Sequence, residues 1–127
     1  NTALQDLVNQ WARQNSIAAT IKIGEDQPLP VLLEEALFRI TQEALANVAR
    51  HSQANTVAVQ LTYEQEAVTL TIADDGKGFD TVATQAGIGL LSMQERMKTL
   101  GGEGHIESAL GKGTRVTARY AKQYLEL

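Results

Sequence analysis

The chain has 127 residues, of which 43% are hydrophobic and 20% charged, as in a globular domain and unlike a collagen-like or disordered chain. It contains no cysteine, which excludes disulfides, thiolate zinc sites and a cysteine nucleophile. A formal net charge of −4 with scattered basic residues argues against nucleic acid as a partner. No apolar run approaches the roughly 18 residues that cross a bilayer, so we expect no membrane contact by this domain.

Hydrophobic periodicity predicts an alternation of helices and strands that is not strict. In chain order the predicted elements are helix 2–14, strand 17–23, helix 31–51, strands 57–63 and 68–72, helix 89–100, and strands 104–108 and 114–120. This order predicts an α+β fold, a two-layer sandwich in which a mixed, mostly antiparallel sheet is covered on one face by about three helices. We expect residues 1–127 to be a single domain of a longer protein, since the chain begins with Asn1 rather than Met.

The long second helix carries polar residues on one side. Glu43, Asn47 and His51 are spaced four residues apart and fall within an arc of roughly 80°. A carboxylate and an amide one turn apart suit an oxygen-preferring cation such as magnesium. The alternative is a set of hydrogen-bonded polar residues at the helix edge, with His51 capping the helix C-terminus.

Three glycine-bearing segments follow. Asp-Asp-Gly-Lys-Gly-Phe at 74–79 begins where an alternating strand ends, and a carboxylate there can accept hydrogen bonds from an amino group. Gly-Ile-Gly-Leu at 87–90 opens a helix whose free N–H groups suit a phosphate. Gly-Lys-Gly-Thr at 111–114 precedes the last strand and places a hydroxyl at a turn. Each segment, taken alone, is more simply explained as an ordinary turn or loop.

Together and in this order, the four segments resemble the boxes of the catalytic and ATP-binding domain of sensor histidine kinases, in the GHKL superfamily with the Bergerat fold. Glu-Ala-Leu-Ala-Asn-Val-Ala-Arg-His at 43–51 resembles the N box, and the other three resemble the glycine boxes and the Gly-x-Gly-Thr segment. Residues 89–97, with Leu-Gly-Gly at 100–102, are similar to the nitrate-sensor and desaturase-sensor subgroup. Asp75 departs from the wider family, which often has Asn at that position.

The resemblance implies ATP and Mg²⁺ as cofactors and a role for each matching residue. Asn47 would ligate the magnesium, Glu43 would orient it from one turn earlier, and Asp74 would accept from the adenine amino group with Thr114 beside it. The remaining residues implied to line the ATP site are Arg50, His51, Gly76, Gly78, Gly87, Gly89 and Leu90. Residues 80–86 would form a short mobile lid.

The implied activity is that of a histidine protein kinase in two-component signalling. The γ-phosphoryl group of ATP would pass to a histidine on a separate dimerisation hairpin and then to a response regulator. Neither His51 nor His105 is the expected acceptor, so we expect no autophosphorylation by this chain alone. The parent would be a homodimer with this domain in the cytoplasm, whether or not the parent is a membrane sensor. The alternatives are another GHKL ATPase, an anti-sigma serine kinase, or a non-catalytic interaction module that keeps the fold.

Overall fold

The computed structural model describes residues 2–24, 29–78 and 88–121, and the side chains of residues 2, 51, 52 and 88–92 lie outside that description. Three helices and five strands follow one another in the predicted order. They are α1 (Thr2–Asn15), β1 (Ala18–Ile23), α2 (Val31–Asn47), β2 (Thr56–Tyr63), β3 (Ala67–Asp74), α3 (Ile88–Thr99), β4 (Glu103–Ser108) and β5 (Thr114–Ala121). The predicted boundaries lie within a few residues of these, except at the end of α2.

The strands form one sheet in the order β1-β2-β3-β5-β4. The β1–β2 pair is parallel and the other three pairs are antiparallel, so the predicted mixed, mostly antiparallel sheet is confirmed. The hairpin predicted around residues 64–66 joins β2 to β3, where the Glu64 N–H donates to the Ala67 carbonyl oxygen at 2.7 Å.

The core lies between one face of the sheet and the helices. Alternate residues of the central strands are buried, as the period of two requires. The predicted apolar stripe of α2 is also buried, with Leu33, Leu37, Ile40 and Ala44 all at most 3% exposed. Helix α1 adds buried Leu4 and Val8, and α3 adds buried Met93 and Met97. Burial of these side chains is the main favourable contribution to folding.

The end of α2 differs from the prediction. A regular helix was expected as far as His51, but the α-helix ends at Asn47 and the chain makes a π-helical turn over Val48–Ser52. Gln53 then takes a left-handed conformation with φ of 54°, the conformation that ends many helices and that glycine adopts most easily. The wider turn overlaps the end of the N-box segment, and such turns often mark functional positions.

Gly102 marks a close contact between the α3–β4 connection and β5. A Cβ atom placed on Gly102 would lie 2.5 Å from Cε1 of the Tyr120 ring and 2.9 Å from the Arg119 carbonyl oxygen. Tyr120 is completely buried, so its ring has no free space into which to move.

We therefore expect Gly102→Ala to lower the free energy of unfolding by about 1–3 kcal/mol, as overpacking does in a dense core. The matched control is Gly24→Ala, because a Cβ there would meet only ordinary contacts, the nearest at 3.5 Å. The control should stay within about 0.5 kcal/mol of the wild type in urea unfolding. Equal stability of the two variants would contradict the packing described here.

Candidate functional site

A polar row crosses the helix-facing side of the sheet at one end. In the strand register Asp74 of β3 lies opposite Thr114 of β5, and Thr114 lies opposite Ser108 of β4. The rows further along the same face are apolar, for example Ile72, Val116 and Ile106. On this face, each of these three strands therefore changes from an apolar to a polar side chain over two residues.

The Asp74 carboxylate is half-buried and hydrogen-bonded to backbone. Its Oδ1 accepts from the Gly76 N–H at 2.8 Å. Burial raises the pKa of Asp74, and the neighbouring charge of Asp75 adds to the increase, while the Gly76 and Thr114 N–H groups oppose it. A carboxylate in such a place is a natural acceptor for a ligand that brings hydrogen-bond donors.

Asp75 has a different role from its neighbour. It is exposed, and its Oδ1 accepts from the N–H groups of Asn55 and Thr56, each at 2.9 Å. These bonds, that of Thr56 first, lower the pKa of Asp75. Asn55 lies three residues beyond the π-helical turn, so Asp75 connects the end of the N-box segment to the loop that follows Asp74. An amide oxygen could accept the same bonds, which explains how Asp and Asn can share this position.

Two glycines allow the loops at residues 74–78 and 109–113 to pack together. Gly78 and Gly113 have φ of 65° and 76°, and a Cβ on either would overlap a carbonyl oxygen, that of Ala109 or of Asp74 respectively. The Gly111 N–H donates to the Lys77 carbonyl oxygen at 2.6 Å. The contact between these loops accounts for both glycines, whether or not a ligand also approaches Gly78.

The N-box segment carries a second polar group. Asn47 Oδ1 accepts from Arg50 Nη2 at 3.2 Å, across the start of the π-helical turn. Asn47 Nδ2 is buried and has no hydrogen-bond partner within the described part of the chain. Glu43, one turn earlier, is half-buried. An unpaired buried donor costs about 1–3 kcal/mol, so this position calls for an acceptor such as a phosphate oxygen.

The other predicted site residues are described only in part. Gly76 is buried beside Asp74, and Gly89 and Leu90 lie in the first turn of α3. The side chains of His51 and Leu90, and both Gly87 and the expected lid at 80–86, lie outside the described residues. Sequence reasoning missed Ser108 and the linking role of Asp75. Ser108 lies two residues after Ile106 on β4, so the alternation of the strand places both on the helix-facing side of the sheet. This alternation was the one signal that could have indicated Ser108.

An open cleft of about 420 Å³ adjoins the polar row at the strand ends. Lys112 and Arg115 line it together with Asp74 and Thr114. Its size is in the range of small-molecule sites. Over residues 2–24, 29–78 and 88–121 no group of three or more His, Cys, Asp or Glu side chains could hold a metal ion by itself. Within the same residues, no helix is both long and apolar enough to span a membrane.

Comparison with known proteins identifies the class. Residues 33–123 match the histidine kinase-, DNA gyrase B-, and HSP90-like ATPase family, and the chain belongs to this family. The class is that of ATP-binding domains.

Among curated relatives the chain is similar to sensor kinases in particular. It is 37% identical over 117 residues to the sensor histidine kinase LiaS of Bacillus subtilis. The matched region covers 91% of this chain and 32% of LiaS. It is 40% identical over 94 residues to the histidine-protein kinase/phosphatase DegS of the same organism, covering 71% of this chain and 24% of DegS. The chain thus spans about a third or less of the length of these relatives.

Solved structures show the same fold. The histidine kinase domain of the Erythrobacter litoralis EL346 blue-light activated histidine kinase superposes with a TM-score of 0.81 at 17% identity, over 95% of this chain and 61% of that one. The Acinetobacter baumannii histidine kinase AdeS gives 0.73 at 16% identity, over 94% and 61%. The expected histidine-kinase ATPase fold is confirmed, while the narrower nitrate-sensor and desaturase-sensor assignment stays a prediction.

The hydrogen bonds of Asp75 lead to a pH-dependent prediction. Asp75→Ala removes the acceptor for two N–H groups, so we expect a lower melting temperature at neutral pH. Because the pKa of Asp75 is lowered by folding, its stabilisation is complete above the ordinary aspartate pKa and is lost as the pH falls through the lowered value. The difference in melting temperature between Asp75→Ala and the wild type should therefore become smaller as the pH falls through that window. Thermal unfolding followed by circular dichroism measures it.

The matched control for this measurement is Asp75→Asn, which keeps an oxygen acceptor. It should melt closer to the wild type than Asp75→Ala does. A neutral-pH melting temperature of Asp75→Ala equal to that of the wild type would refute the linking role.

Proposed function

We propose that residues 1–127 are the ATP-binding catalytic domain of a sensor histidine kinase that works in two-component signalling. The domain supplies the γ-phosphoryl group of ATP to a histidine on a separate dimerisation hairpin of its parent, from which it passes to a response regulator. The observation that carries the proposal is the half-buried Asp74 carboxylate, aligned with Thr114 where the apolar core ends. Family membership and the sensor-kinase relatives support it.

Asp74 and Thr114 are proposed to hold the adenine base. The Asp74 carboxylate accepts from the exocyclic amino group, and the hydroxyl of Thr114 lies beside it, directly or through a water. Gly76 is buried against Asp74 and adds no side chain between the carboxylate and a base. Burial favours this recognition, because a hydrogen bond to a half-buried carboxylate meets less competition from water.

Asn47 is proposed to face the phosphates with a magnesium ion. The residues fit the ion: Asn47 Oδ1 accepts one hydrogen bond from Arg50 and has a second lone pair, and Glu43 is one turn away. Magnesium in nucleotide sites typically uses one or two protein oxygens together with phosphates and waters. When bound, it neutralises phosphate charge. Within the described part of the chain Asn47 Nδ2 has no hydrogen-bond partner, which supports a phosphate oxygen nearby.

The remaining assignments follow from the matched boxes. Arg50 and His51 are proposed to lie by the phosphates at the end of the N-box segment. Gly78 is proposed to let the loop after β3 approach the nucleotide closely. Gly87, Gly89 and Leu90 are proposed to line the nucleotide at the start of α3, where the helix dipole favours negative charge. The domain is proposed to work in the cytoplasm, where ATP is available, as part of a homodimeric parent.

Asp74→Asn tests the adenine contact directly. We expect ATP affinity, measured by titration calorimetry with magnesium, to fall by about 100-fold, the loss of a hydrogen bond to a charged group. Asp75→Asn is the matched control. It makes the same change one residue away, at a side chain bonded to Asn55 and Thr56, and should leave ATP affinity within about twofold. Unchanged affinity in Asp74→Asn would overturn the assignment.

The melting temperature checks that Asp74→Asn is folded. Folding raises the pKa of Asp74, so the ionised carboxylate lowers the free energy of unfolding. This penalty is absent below the ordinary aspartate pKa and reaches its full size as the pH rises through the raised value. A neutral amide removes this penalty. At neutral pH the variant should therefore melt no lower than the wild type, and a loss of ATP binding is then a loss of recognition.

Asn47→Asp tests the phosphate end. A carboxylate there removes the Nδ2 donor and repels the phosphates, so we expect ATP affinity at low magnesium to fall by about tenfold or more. A high magnesium concentration should restore part of the lost ATP affinity. The control is Gln42→Glu, which adds the same charge on the exposed side of the same helix. Equal effects of the two substitutions would contradict a direct role for Asn47.

A further inference from the structure

Two hydrogen-bond contacts of the Ser108 hydroxyl lie at the end of the polar row. Its Oγ donates to the Gly113 carbonyl oxygen at 3.0 Å and lies 2.8 Å from Thr114 Oγ1. Ser108 and Thr114 face each other across the β4–β5 register, on the side of the sheet that also carries Asp74.

The Gly113 carbonyl can only accept, and this limits how the Ser108 proton can be shared with Thr114, where either hydroxyl could be the donor. A serine hydroxyl has one proton, and here that proton goes to the Gly113 carbonyl, which has none to give in return. The 2.8 Å contact can then be a hydrogen bond only if Thr114 donates its own hydroxyl proton to Ser108. In the arrangement that satisfies both contacts, the chain of bonds runs from Thr114 to Ser108 to Gly113.

The consequence concerns what the row presents to a ligand. With its proton engaged, the Thr114 hydroxyl offers only lone pairs. The ionised Asp74 carboxylate beside it also offers only lone pairs, one of which already accepts the Gly76 N–H. Two adjacent acceptors favour a ligand edge that brings hydrogen-bond donors and disfavour one that brings an oxygen.

We propose that Ser108 is a positioning residue that holds the Thr114 hydroxyl as an acceptor, and thereby favours a purine with an amino group over one with an oxo group at the same position. The proposal rests on the proposed function, in which Asp74 and Thr114 hold the base. Ser108 acts only through Thr114 and makes no contact with the base in this role.

The experiment measures ATP and GTP affinities of the whole 127-residue chain, ATP by calorimetry and GTP by competition. In Ser108→Ala the Thr114 hydroxyl is free to rotate and to donate. We expect ATP affinity to fall about three- to tenfold, the effect of one neutral hydrogen bond, while GTP affinity holds or rises. Ser108→Thr keeps the hydroxyl and should restore both affinities.

The double variant separates this role from a general structural one. With Thr114→Val no hydroxyl remains to be oriented, so adding Ser108→Ala should cost nothing further. An equal loss in both backgrounds, or an equal loss of ATP and GTP, would overturn the proposal.

The two proposals fail in different ways. If the wild type binds ATP, Asp74→Asn does not, and Ser108→Ala leaves the ATP-to-GTP ratio unchanged, the proposed function stands and the role of Ser108 falls. If the wild-type chain binds no ATP, both fall.

Discussion

The antiparallel ladder between β3 and β5 is the constraint on which the rest of the structure depends. One register pairs Leu70 with Ala118 in the core and Asp74 with Thr114 at the polar end. Because side chains alternate between faces, a slip of one residue would expose the core residues and turn Asp74 away from the helices at the same time. The hydrophobic effect that holds the sheet in register therefore also holds the site in place.

Adjacent aspartates at the end of this ladder illustrate how environment separates two identical side chains. Asp74 points to the helix-facing side and is half-buried, so its pKa is raised, while Asp75 points outward to two backbone N–H groups and its pKa is lowered. The ionised Asp74 carboxylate thus opposes folding, and it lies where it can accept hydrogen bonds from a ligand. Asp75 is one that stabilises the fold, by joining the N-box segment to the loop after β3.

Most of the fold could be predicted from local patterns. The apolar stripe of α2 and the alternation in β2, β3 and β5 depend only on the periods of helices and strands. The elements and the mostly antiparallel sheet could therefore be predicted from the sequence. The π-helical turn at Val48–Ser52 did not, because no proline or glycine marks it and it arises where the helix must turn into β2. Gly78 and Gly113 were recognised as loop glycines, but their need for small size comes from a neighbouring loop.

The sequence by itself determined which chemistry the chain carries: the four ordered boxes, their polar residues, and the hydrophobic periods that place Asp74 and Thr114 at strand ends. These are properties of spacing along the chain. Only the tertiary structure decided which of these groups meet, and in what state. The acceptor for Asn55, the contact between the Thr114 and Ser108 hydroxyls, and the Asn47 amide that has no partner among the described residues all depend on atoms brought together by strand pairing and burial. Periodicity along one strand or helix does not encode such contacts.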